Sequence, residues 1–514
     1  MKNSLKSLFL MAIASVVLIG CSDDDNGGGN GATVTNVSDA TATEGEMVTH
    51  TVNLSNTVGG SFSASLDGGT ASADDFDDNL ANASLGSGVT FSNGEITVPQ
   101  GVGSFTVEIE TLVDDLDEDN ESYTLTVGDQ TGTGTISDDD LPAAFIIQST
   151  VQSQAGDRTV FLNVFSDFPD EVDISEAIEF NSNSRFQVYD GKVYVFDSEN
   201  VEVIRFGVDE NNELIEEDKF SMAGLGVSGF GTANAIVSDQ HAVSGVQGVR
   251  QLVFWNPTTM EITGTVDYPD IIPQAFRGGF TASIDGDGRV FFAYSGFDFS
   301  TFSNQPGARV LIVDPVAQTL EPLFDEDVAA GTDGDVDANG DFYLNADAYL
   351  GLGRYLVPVN RDTIQTVQRI NRGETTFDPT FNLLTSDITP EGYPQTAAFG
   401  FRISGDQFAS IFLAGTEQEI AADPQGALLQ ASIPRVLFAG STTDWEGSAI
   451  EFNDASKALA TLFVVDGEFY VVATNPLGGG STDFNNDLYR LTTSNTLERV
   501  TSTVGFFENM AKIR

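Results

Sequence analysis

Short runs of alternating apolar and polar residues make up most of this chain. Between Thr33 and Asp140, apolar side chains recur at alternate positions, and Gly, Asn and Asp separate the runs. An apolar residue at every second position places one face of a strand against a core. No long amphipathic helical pattern occurs, so the pattern predicts an all-β protein that begins with an antiparallel sandwich. The apolar positions of three such runs are Val48, Val52 and Leu54; Phe105, Val107 and Ile109; and Tyr123, Leu125 and Val127.

A looser repeat extends from Ala143 to Arg514. Each copy joins a strand, a turn of Asp, Asn and Gly, and a strand rich in aromatic and β-branched residues, which is a strong hairpin signal. The copies lie roughly 50 to 65 residues apart, a spacing typical of four-stranded propeller blades. With a further copy from the strands around Phe145–Ile147 and Val160–Phe165, we favour seven blades, with six, eight or a large irregular sandwich as alternatives. The turns fall at Asp190, Asp287, Asn339 and Asp466, with weaker copies near Asp239 and Gly405.

The charge of the chain is strongly negative and unevenly distributed. With 77 acidic and 22 basic residues, the formal charge is −55, which disfavours nucleic acid and anionic lipid as partners and favours divalent cations. The 38 Phe residues are enough to bury a core, which argues against an acidic disordered chain. From Cys21 to Asp140 there are 24 acidic residues and no basic one, and the first basic residue afterwards is Arg158. This change predicts a domain boundary near Leu141, with a sandwich over 34–140 and a propeller over 141–514.

The first residues have the layout of an export signal. Lys2 and Lys6 precede an apolar run over Leu8–Leu18, which is too short to span a bilayer because a spanning helix needs about 20 residues. The run ends in Leu18–Cys21, which resembles the lipobox of bacterial lipoproteins. The resemblance implies a signal peptide over 1–20 and lipidation of Cys21, and the alternative is an ordinary signal peptide with an incidental cysteine. Cys21 is the only cysteine, so an intramolecular disulfide is excluded.

An acidic, glycine-rich linker follows Cys21 and completes the segment 21–33. Ser22–Asp25 leads into Asn26–Gly31, a composition typical of a flexible tether. A serine followed by acidic residues resembles the surface-export signal of Bacteroidota lipoproteins. The resemblance implies a lipid anchor in the outer membrane and exposure at the cell surface, and a merely polar linker is the alternative.

The acidic N-terminal region resembles the Calx-beta family, a calcium-binding sandwich with an immunoglobulin-like fold. Five motifs occur in the order that the family has. The resemblance covers about a fifth of the chain, and it implies an immunoglobulin-like sandwich over 34–140. The motifs are Thr43–Gly45, Thr70–Phe76, Val89–Glu95, Asp114–Tyr123 and Gly134–Asp140.

The same resemblance implies a calcium site at one end of that sandwich, with carboxylates from several loops as ligands. Calcium takes six to eight oxygen ligands, many of them from carboxylates. A solvated acidic surface without an ion is the alternative. The implied ligands are Glu44, Asp75, Asp114, Asp115, Glu118, Glu121, Asp138, Asp139 and Asp140.

Motifs for catalysis are absent from the sequence. There is no His-Glu-x-x-His, Cys-x-x-Cys or Gly-x-Ser-x-Gly motif, and His241 is the only histidine after residue 140. Asp335–Gly340 is similar to the beginning of an EF-hand loop, but Ala346 stands where such a loop needs Glu, so we predict a hairpin turn. We therefore expect a binding protein rather than an enzyme, and a carbohydrate-active enzyme with a carboxylate pair remains an alternative.

Two binding functions follow from the predicted architecture. It resembles Bacteroidota surface lipoproteins that accompany TonB-dependent receptors, some of which bind ferric siderophores, and this implies capture of a siderophore or another nutrient. The alternative is a calcium-dependent adhesion or scaffold protein whose propeller binds a glycan or a protein. An anionic ferric complex needs cationic donors, and the sequence offers Arg185, Arg205, Arg250, Arg277, Arg354, Arg402 and Arg435.

Overall fold

The computed structural model divides the chain into two compact units, residues 1–140 and 141–514. Each unit is described by itself. Within the described residues, no helix has both the length and the hydrophobicity needed to cross a membrane. The structure describes residues 31–114, 118–138, 140, 142–152, 158–181, 184–273, 277–278, 282–298, 303–328, 330–345, 366–381, 383–384, 388, 400–413, 415–423, 435–454, 456–474 and 485–514.

The first unit is a sandwich of two sheets. The four-stranded sheet has the order β1-β3-β8-β5, and the six-stranded sheet has the order β2-β10-β9-β4-β7-β6. All neighbours pair antiparallel except β2 and β10, which run parallel. The strands are β1 Val34–Val37, β2 Ala40–Thr43, β3 Met47–Leu54, β4 Gly60–Asp67, β5 Ser84–Leu85, β6 Thr90–Ser92, β7 Glu95–Val98, β8 Ser104–Glu110, β9 Glu121–Val127 and β10 Gln130–Ser137.

Alternating side chains of both sheets form one core, as the sequence pattern predicts. Val48, Val107 and Leu125 are fully buried in this core. His50 has the same parity as Val48 and is also fully buried. Its Nδ1 lies 2.7 Å from the carbonyl oxygen of Ser38 and its Nε2 lies 3.0 Å from the Tyr123 hydroxyl. A carbonyl can only accept, so Nδ1 donates. Burial lowers the pKa of His50 and favours the neutral ring, whose Nε2 then accepts from the Tyr123 hydroxyl.

The second unit is a seven-bladed β-propeller in its described strands, which confirms the favoured fold. Each blade is a sheet in which neighbouring strands run antiparallel. Blade 1 contains β11 Phe145–Gln152, β12 Arg158–Phe165, β13 Ile178–Asn181 and β39 Phe506–Lys512, and blade 2 contains β14 Arg185–Tyr189, β15 Lys192–Asp197, β16 Glu202–Val208 and β17 Leu214–Ser221. Blade 3 contains β18 Gly229–Ser238, β19 His241–Gln247, β20 Gln251–Asn256 and β21 Glu261–Asp267. Blade 4 contains β22 Arg277–Gly278, β23 Ser283–Ile284, β24 Val290–Asp298, β25 Ser303–Asp314 and β26 Thr319–Asp325. Blade 5 contains β27 Asp333–Val336, β28 Phe342–Asn345, β29 Thr366–Ile370 and β30 Leu383–Leu384; blade 6, β31 Phe401–Ser404, β32 Gln407–Leu413, β33 Arg435–Ser441 and β34 Gly447–Ile450; blade 7, β35 Ala458–Val465, β36 Glu468–Thr474, β37 Asn485–Leu491 and β38 Leu497–Val504.

The last strand closes the ring. Strand β39 pairs with β11 and becomes the innermost strand of blade 1. The innermost strands of successive blades contact one another, from β39 through β14, β18, β22 and β23, β27, β31 and β35, and β35 returns to β39. Blade 1 therefore combines strands from both ends of the second unit, and the predicted copy around Phe145 belongs to it.

The predicted Asp, Asn and Gly turns join the first and second strands of the blades. Asp190 and Gly191 have φ of 48° and 67°, and Asp466 and Gly467 have 52° and 77°. Positive φ at both central positions is the backbone of a type I′ turn, which Asp-Gly favours. The EF-hand-like segment is also a hairpin turn, because Asp337 Oδ1 accepts from the main-chain N–H groups of Asn339 and Asp341 at 2.9 and 3.0 Å.

The described helical structure is short. Helix α1, Glu417–Ala422, begins with a capping box between Thr416 and Glu419. Two 3-10 helices occupy Ile174–Glu176 and Ala223–Leu225.

Candidate metal centre

Strand register brings distant carboxylates to one end of the sandwich. Met47, the first residue of β3, pairs with Glu110, the last residue of β8. Ser137 at the end of β10 pairs with Thr43 at the end of β2, and Glu121 at the start of β9 pairs with Ile136. The loops and strand ends that carry Glu44, Asp114, Glu118, Glu121, Asp138 and Asp140 therefore meet at this end.

Hydrogen bonds to main-chain atoms fix the loops around this end. The Thr111 hydroxyl, which is buried, donates to the carbonyl oxygens of Thr43 and Glu46 at 3.2 and 2.7 Å. The main-chain N–H of Leu112 donates to the Asp75 carbonyl at 2.8 Å. These bonds hold the loops of Glu44, Asp75 and Asp114 close to one another.

Among the described residues, the carboxylates form two groups that could hold a metal ion. Glu44, Asp138 and Asp140 make the first group, and the ligand oxygens within it lie within 4.8 Å of one another. We call these three residues the exit group, because the chain leaves the first unit through Asp138 and Asp140. Asp75, Asp114 and Glu118 make the second group, the loop group, with the same spacing.

Asp138 links the two groups. Its Oδ2 accepts from the main-chain N–H of Glu118 at 2.9 Å, and its Oδ1 accepts from the main-chain N–H of Asp140 at 2.9 Å. The carboxylate thus orders one residue of each group. A change at Asp138 is therefore expected to disturb both groups together.

The carboxylates repel one another in the absence of a cation. Burial raises the pKa of Glu44; a hydrogen bond from the Asp114 main chain opposes this effect, and the carboxylates of Asp114, Asp138 and Asp140 add to it. Glu118 is exposed, yet desolvation and the same kind of repulsion raise its pKa as well. A divalent cation would relieve this repulsion.

Asp75 and Glu121 share a hydrogen bond and differ in protonation. Burial raises the pKa of Glu121, and the hydrogen bond and charge of Asp75 raise it further, to about 7. Burial also acts to raise the pKa of Asp75, but hydrogen bonds from the main chain and side chain of Ser72 outweigh this effect and lower the pKa. In mildly acidic solution, below about pH 7, Glu121 therefore carries the proton and Asp75 the charge.

The chemistry of the donor set fits calcium. Every candidate ligand is a carboxylate, a hard oxygen donor, and the sequence places no Lys or Arg between Ser7 and Asp157 to neutralise the groups. Zinc sites in proteins rely mainly on Cys and His, and the one histidine of this unit, His50, is committed to Ser38 and Tyr123. The donor set of this end of the sandwich therefore suits a hard divalent cation such as calcium better than zinc.

The structure brings together most of the residues that the sequence analysis proposed as ligands. Six of them form the two groups, and Glu121 lies beside Asp75. Asp115, Asp139 and Cys21 lie outside the described residues, so the statements about them stay predictions. Ser72 was not proposed, although it orders Asp75; its signal is the short polar residue three positions before the aspartate, which is typical of a side-chain-capped turn.

Arginines of the propeller are committed to holding the blades. Arg185 pairs with Glu508, Arg402 with Asp333 at 2.8 Å and Arg205 with Glu217 at 3.0 Å. Other arginines bind main-chain oxygens: Arg250 donates to Ile272 and Pro273, and Arg435 donates to Leu459. Arg354 and the side chain of Arg277 lie outside the described part of the chain.

The fold and the acidic end define an all-β protein that combines an immunoglobulin-like sandwich, carrying a candidate calcium site, with a seven-bladed propeller. No family model matches the chain, and no curated protein matches it. Solved structures that are similar include Kuenenia stuttgartiensis hydrazine synthase, at 14% identity and a TM-score of 0.34, over 52% of this chain and 65% of the other. The Pseudomonas aeruginosa periplasmic gluconolactonase PpgL matches at 10% identity and a TM-score of 0.43, over 72% of this chain and 99% of the other. The calcium binding domain CBD12 of CALX1.1 matches at 15% identity and a TM-score of 0.19, over 35% of this chain and 81% of the other.

Proposed function

We propose that the chain is a calcium-binding surface lipoprotein whose propeller binds a ligand outside the cell. The observation that carries the calcium part is the meeting of the exit group and the loop group, linked through Asp138, at one end of the sandwich. Calcium would neutralise carboxylates that otherwise repel one another, and it would bind oxygen atoms from both groups. The folded sandwich then becomes more stable when calcium is present, because the unfolded chain lacks the assembled site.

Thermal unfolding in calcium and in chelator tests this proposal. A ligand at a hundred times its Kd stabilises the folded state by about 2.7 kcal/mol. This corresponds to a shift in Tm of roughly 10–20 °C for a domain of this size. We expect the sandwich transition of a chain starting at Ser22 to move down by about this amount when EDTA replaces calcium. An unchanged transition would refute the calcium site.

Two variants locate the effect. Asp138→Asn weakens both carboxylate groups, so calcium should no longer stabilise the sandwich. Asp129→Asn is the matched control, because Asp129 is exposed in the turn between β9 and β10 at the opposite end. This variant should respond to calcium as the unchanged protein does.

For the anchor we propose lipidation of Cys21 and exposure on the outer membrane. The support is the signal layout, Leu8–Leu18 followed by Leu18–Cys21 and the acidic tether. Metabolic labelling with a fatty-acid analogue should mark the unchanged protein and not Cys21→Ser. Protease added to whole cells should digest the anchored protein if it faces outwards; complete protection would refute the surface location.

For the propeller we propose capture of a ferric siderophore or another nutrient for a TonB-dependent receptor, by binding and without turnover. The closed ring supports a rigid binding face. Arg185, Arg205, Arg250, Arg402 and Arg435 already have partners, so an anionic complex would need other donors or the displacement of an ion pair. Calorimetric titration with ferric siderophores tests this, and a Kd of 1 μM, about −8 kcal/mol, would support it. Trp255 is only 1% exposed, so heat is a better readout than tryptophan fluorescence. Absence of heat across the panel would refute the siderophore proposal.

A second candidate, a calcium-dependent adhesion protein, is favoured by the path of the chain through the sandwich. Val34 at the start of β1 pairs with Leu54 at the end of β3, so the chain enters opposite the acidic end. It leaves through Asp138 and Asp140 at the acidic end, so the sandwich can act as a spacer about eight strand residues long, roughly 25 Å. Calcium-dependent binding to a glycan array, without siderophore binding, would favour this function.

A further inference from the structure

The innermost strands of blades 5 and 6 share an ion cluster that contains more acid than base. Asp333 and Asp335 on β27 and Arg402 on β31 form it, and we call these three residues the seam triad. The two aspartates are two positions apart, so both side chains leave the same face of β27. All three residues are half-buried. The seam triad therefore lies where two neighbouring blades meet, partly removed from water.

Both carboxylates of the seam triad connect β27 to β31. Arg402 donates from Nη1 to the two oxygens of Asp333, at 2.9 and 2.8 Å. Asp335 accepts at Oδ2 from the main-chain N–H of Ile403 at 3.0 Å, and at Oδ1 from the main-chain N–H of Val336 at 2.9 Å. The contact between the two blades at this place therefore depends on the charge of both aspartates.

Among the described residues, the strands around the seam triad bring no second cation to Asp335. Strands β23, β32 and β35, which contact β27 or β31, contain no ionisable residue. Strand β28 contributes Tyr343, whose hydroxyl donates to Asp337 at 3.3 Å. Arg369 of β29 pairs with Asp378 at 2.5 Å. One guanidinium therefore faces two carboxylates.

This ratio leaves one negative charge in the seam when all three groups are ionised. Arg402 neutralises Asp333, so the charge of Asp335 is the one that remains. A charge that is removed from water without a partner is unfavourable, and protonation removes it. Burial raises the pKa of Asp335 to about 6; Arg402 and the two main-chain hydrogen bonds oppose this shift, and Asp333 adds to it. Asp335 therefore gains and loses its proton around pH 6.

We propose that the seam triad makes the ring of blades responsive to pH, with the seam between blades 5 and 6 tight in mild acid and looser at neutral pH. In mild acid the folded chain holds a proton on Asp335. An opened seam releases this proton, because an exposed aspartate titrates at about 3.9. The seam is therefore most stable below that pH and loses stability as the pH rises through 6. This response is the reverse of ordinary acid denaturation, and it does not depend on which ligand the propeller binds.

Hydrogen exchange at peptide resolution, on the chain starting at Ser22, tests the proposal. The pKa of Asp335 falls from about 6 to about 3.9 when the seam opens, so the open fraction should rise about tenfold between pH 5 and pH 7.5. After correction for the intrinsic pH dependence of exchange, peptides that cover β27 and β31 should lose protection by this factor. Equal protection at the two pH values would overturn the proposal.

Variants assign the response to the seam triad. Asp335→Asn keeps an acceptor for the Ile403 N–H and removes the titrating group, so the loss of protection should disappear. Asp333→Asn is a second variant in case the first does not fold; it leaves one carboxylate for Arg402, so the loss should shrink. Asp218→Asn is the matched control, because Asp218 is exposed on β17, and it should respond as the unchanged protein does. A full tenfold loss in folded Asp335→Asn or Asp333→Asn protein would overturn the proposal.

Another seam of the ring serves as an internal control. Between blades 1 and 2, one cation faces one carboxylate, Arg185 with Glu508. Peptides that cover β14 and β39 should therefore keep their protection between pH 5 and pH 7.5. A loss of protection spread equally over all blades would indicate global unfolding and would overturn the proposal.

Discussion

Single buried polar residues decide how the sandwich responds to pH. His50 and the Tyr123 hydroxyl form a buried hydrogen bond, and the Tyr123 ring stacks on Phe76 with centroids 4.7 Å apart. Tyr123 also lies over Gly134, where an added Cβ would come within 2.2 Å of Cζ of the ring. A neutral histidine and a glycine are therefore required at these positions.

For His50 we expect a loss of stability in acid. Burial lowers the pKa of His50 below its usual 6.5, so below pH 6.5 the unfolded chain takes up a proton that the folded chain refuses. Stability from this group is present above pH 6.5 and falls as the pH drops towards the folded pKa. Denaturant unfolding at pH 8 and 5.5 should show this loss for the unchanged protein, and His50→Gln should show less of it. Equal losses in both proteins would contradict the prediction.

Glu121 should have the opposite effect when calcium is absent. Its pKa is raised to about 7 by burial and by Asp75, so the folded chain holds a proton that the unfolded chain releases. In chelator, the sandwich should lose stability as the pH rises through 7, and calcium affinity should rise over the same range because binding displaces the proton. Glu121→Gln should remove the pH dependence in chelator, whereas Glu95→Gln, on an exposed strand position, should not. Retention of the full dependence in Glu121→Gln would contradict the prediction.

At the scale of elements, tight turns and strand register do most of the ordering. Two-residue Asp-Gly turns join β14 to β15 and β35 to β36, and each has positive φ at both positions. Register then aligns the ends of strands that are far apart in sequence, as with Met47 and Glu110. The turns are local and readable from dipeptides, whereas the register depends on which strands pair.

Replacing one turn glycine should cost stability through the backbone alone. Gly467 has φ of 77°, and the nearest atom to an added Cβ is Ser404 Oγ at 3.8 Å, so Gly467→Ala meets no clash. The left-handed backbone alone should lower the stability of the propeller by about 1–2 kcal/mol. Gly286→Ala is the matched control, since Gly286 has no positive φ and only ordinary contacts with Arg372. Denaturant unfolding should separate the two variants, and an equal cost would contradict the prediction.

At the scale of the whole molecule, two units should unfold as separate transitions. The sandwich has one core of its own, and the propeller has a series of cores between successive blades. The propeller core between blades 7 and 1 depends on β39, the last strand, whose Phe507 packs with Val472 and Met510. Closure of the ring is therefore a property of the full second unit rather than of any single blade.

Removing Phe507 should weaken the propeller and leave the sandwich unchanged. The side chain is 5% exposed, so Phe507→Ala should cost about 3–5 kcal/mol. Calorimetric scans should show a lower propeller transition and the same calcium-dependent sandwich transition. Val504→Ala is the control, because Val504 is 39% exposed. A shift of both transitions in Phe507→Ala would contradict the independence of the units.

Local signals in the sequence were sufficient for the class of fold and for most of the candidate ligands. Alternation predicts the buried faces of β3, β8 and β9, because side chains of a strand point to opposite sides. Turns of Asp, Asn and Gly predict six of the seven hairpins, and Asp-Gly and Asn-Gly are the strongest of these signals because they tolerate positive φ. The five motifs of the first unit led to Glu44, Asp75, Asp114, Glu118, Glu121, Asp138 and Asp140, all of which lie at one end.

What only the tertiary structure decided is which groups share a neighbourhood. Contacts between distant residues, such as Arg185 with Glu508, decide the division of the carboxylates into two groups, the link through Asp138 and the commitment of the propeller arginines. Sequence patterns report the face of a strand that is buried, because that face repeats every two residues. They do not report the partner across a sheet or between blades, because that partner is set by the closure of the whole chain.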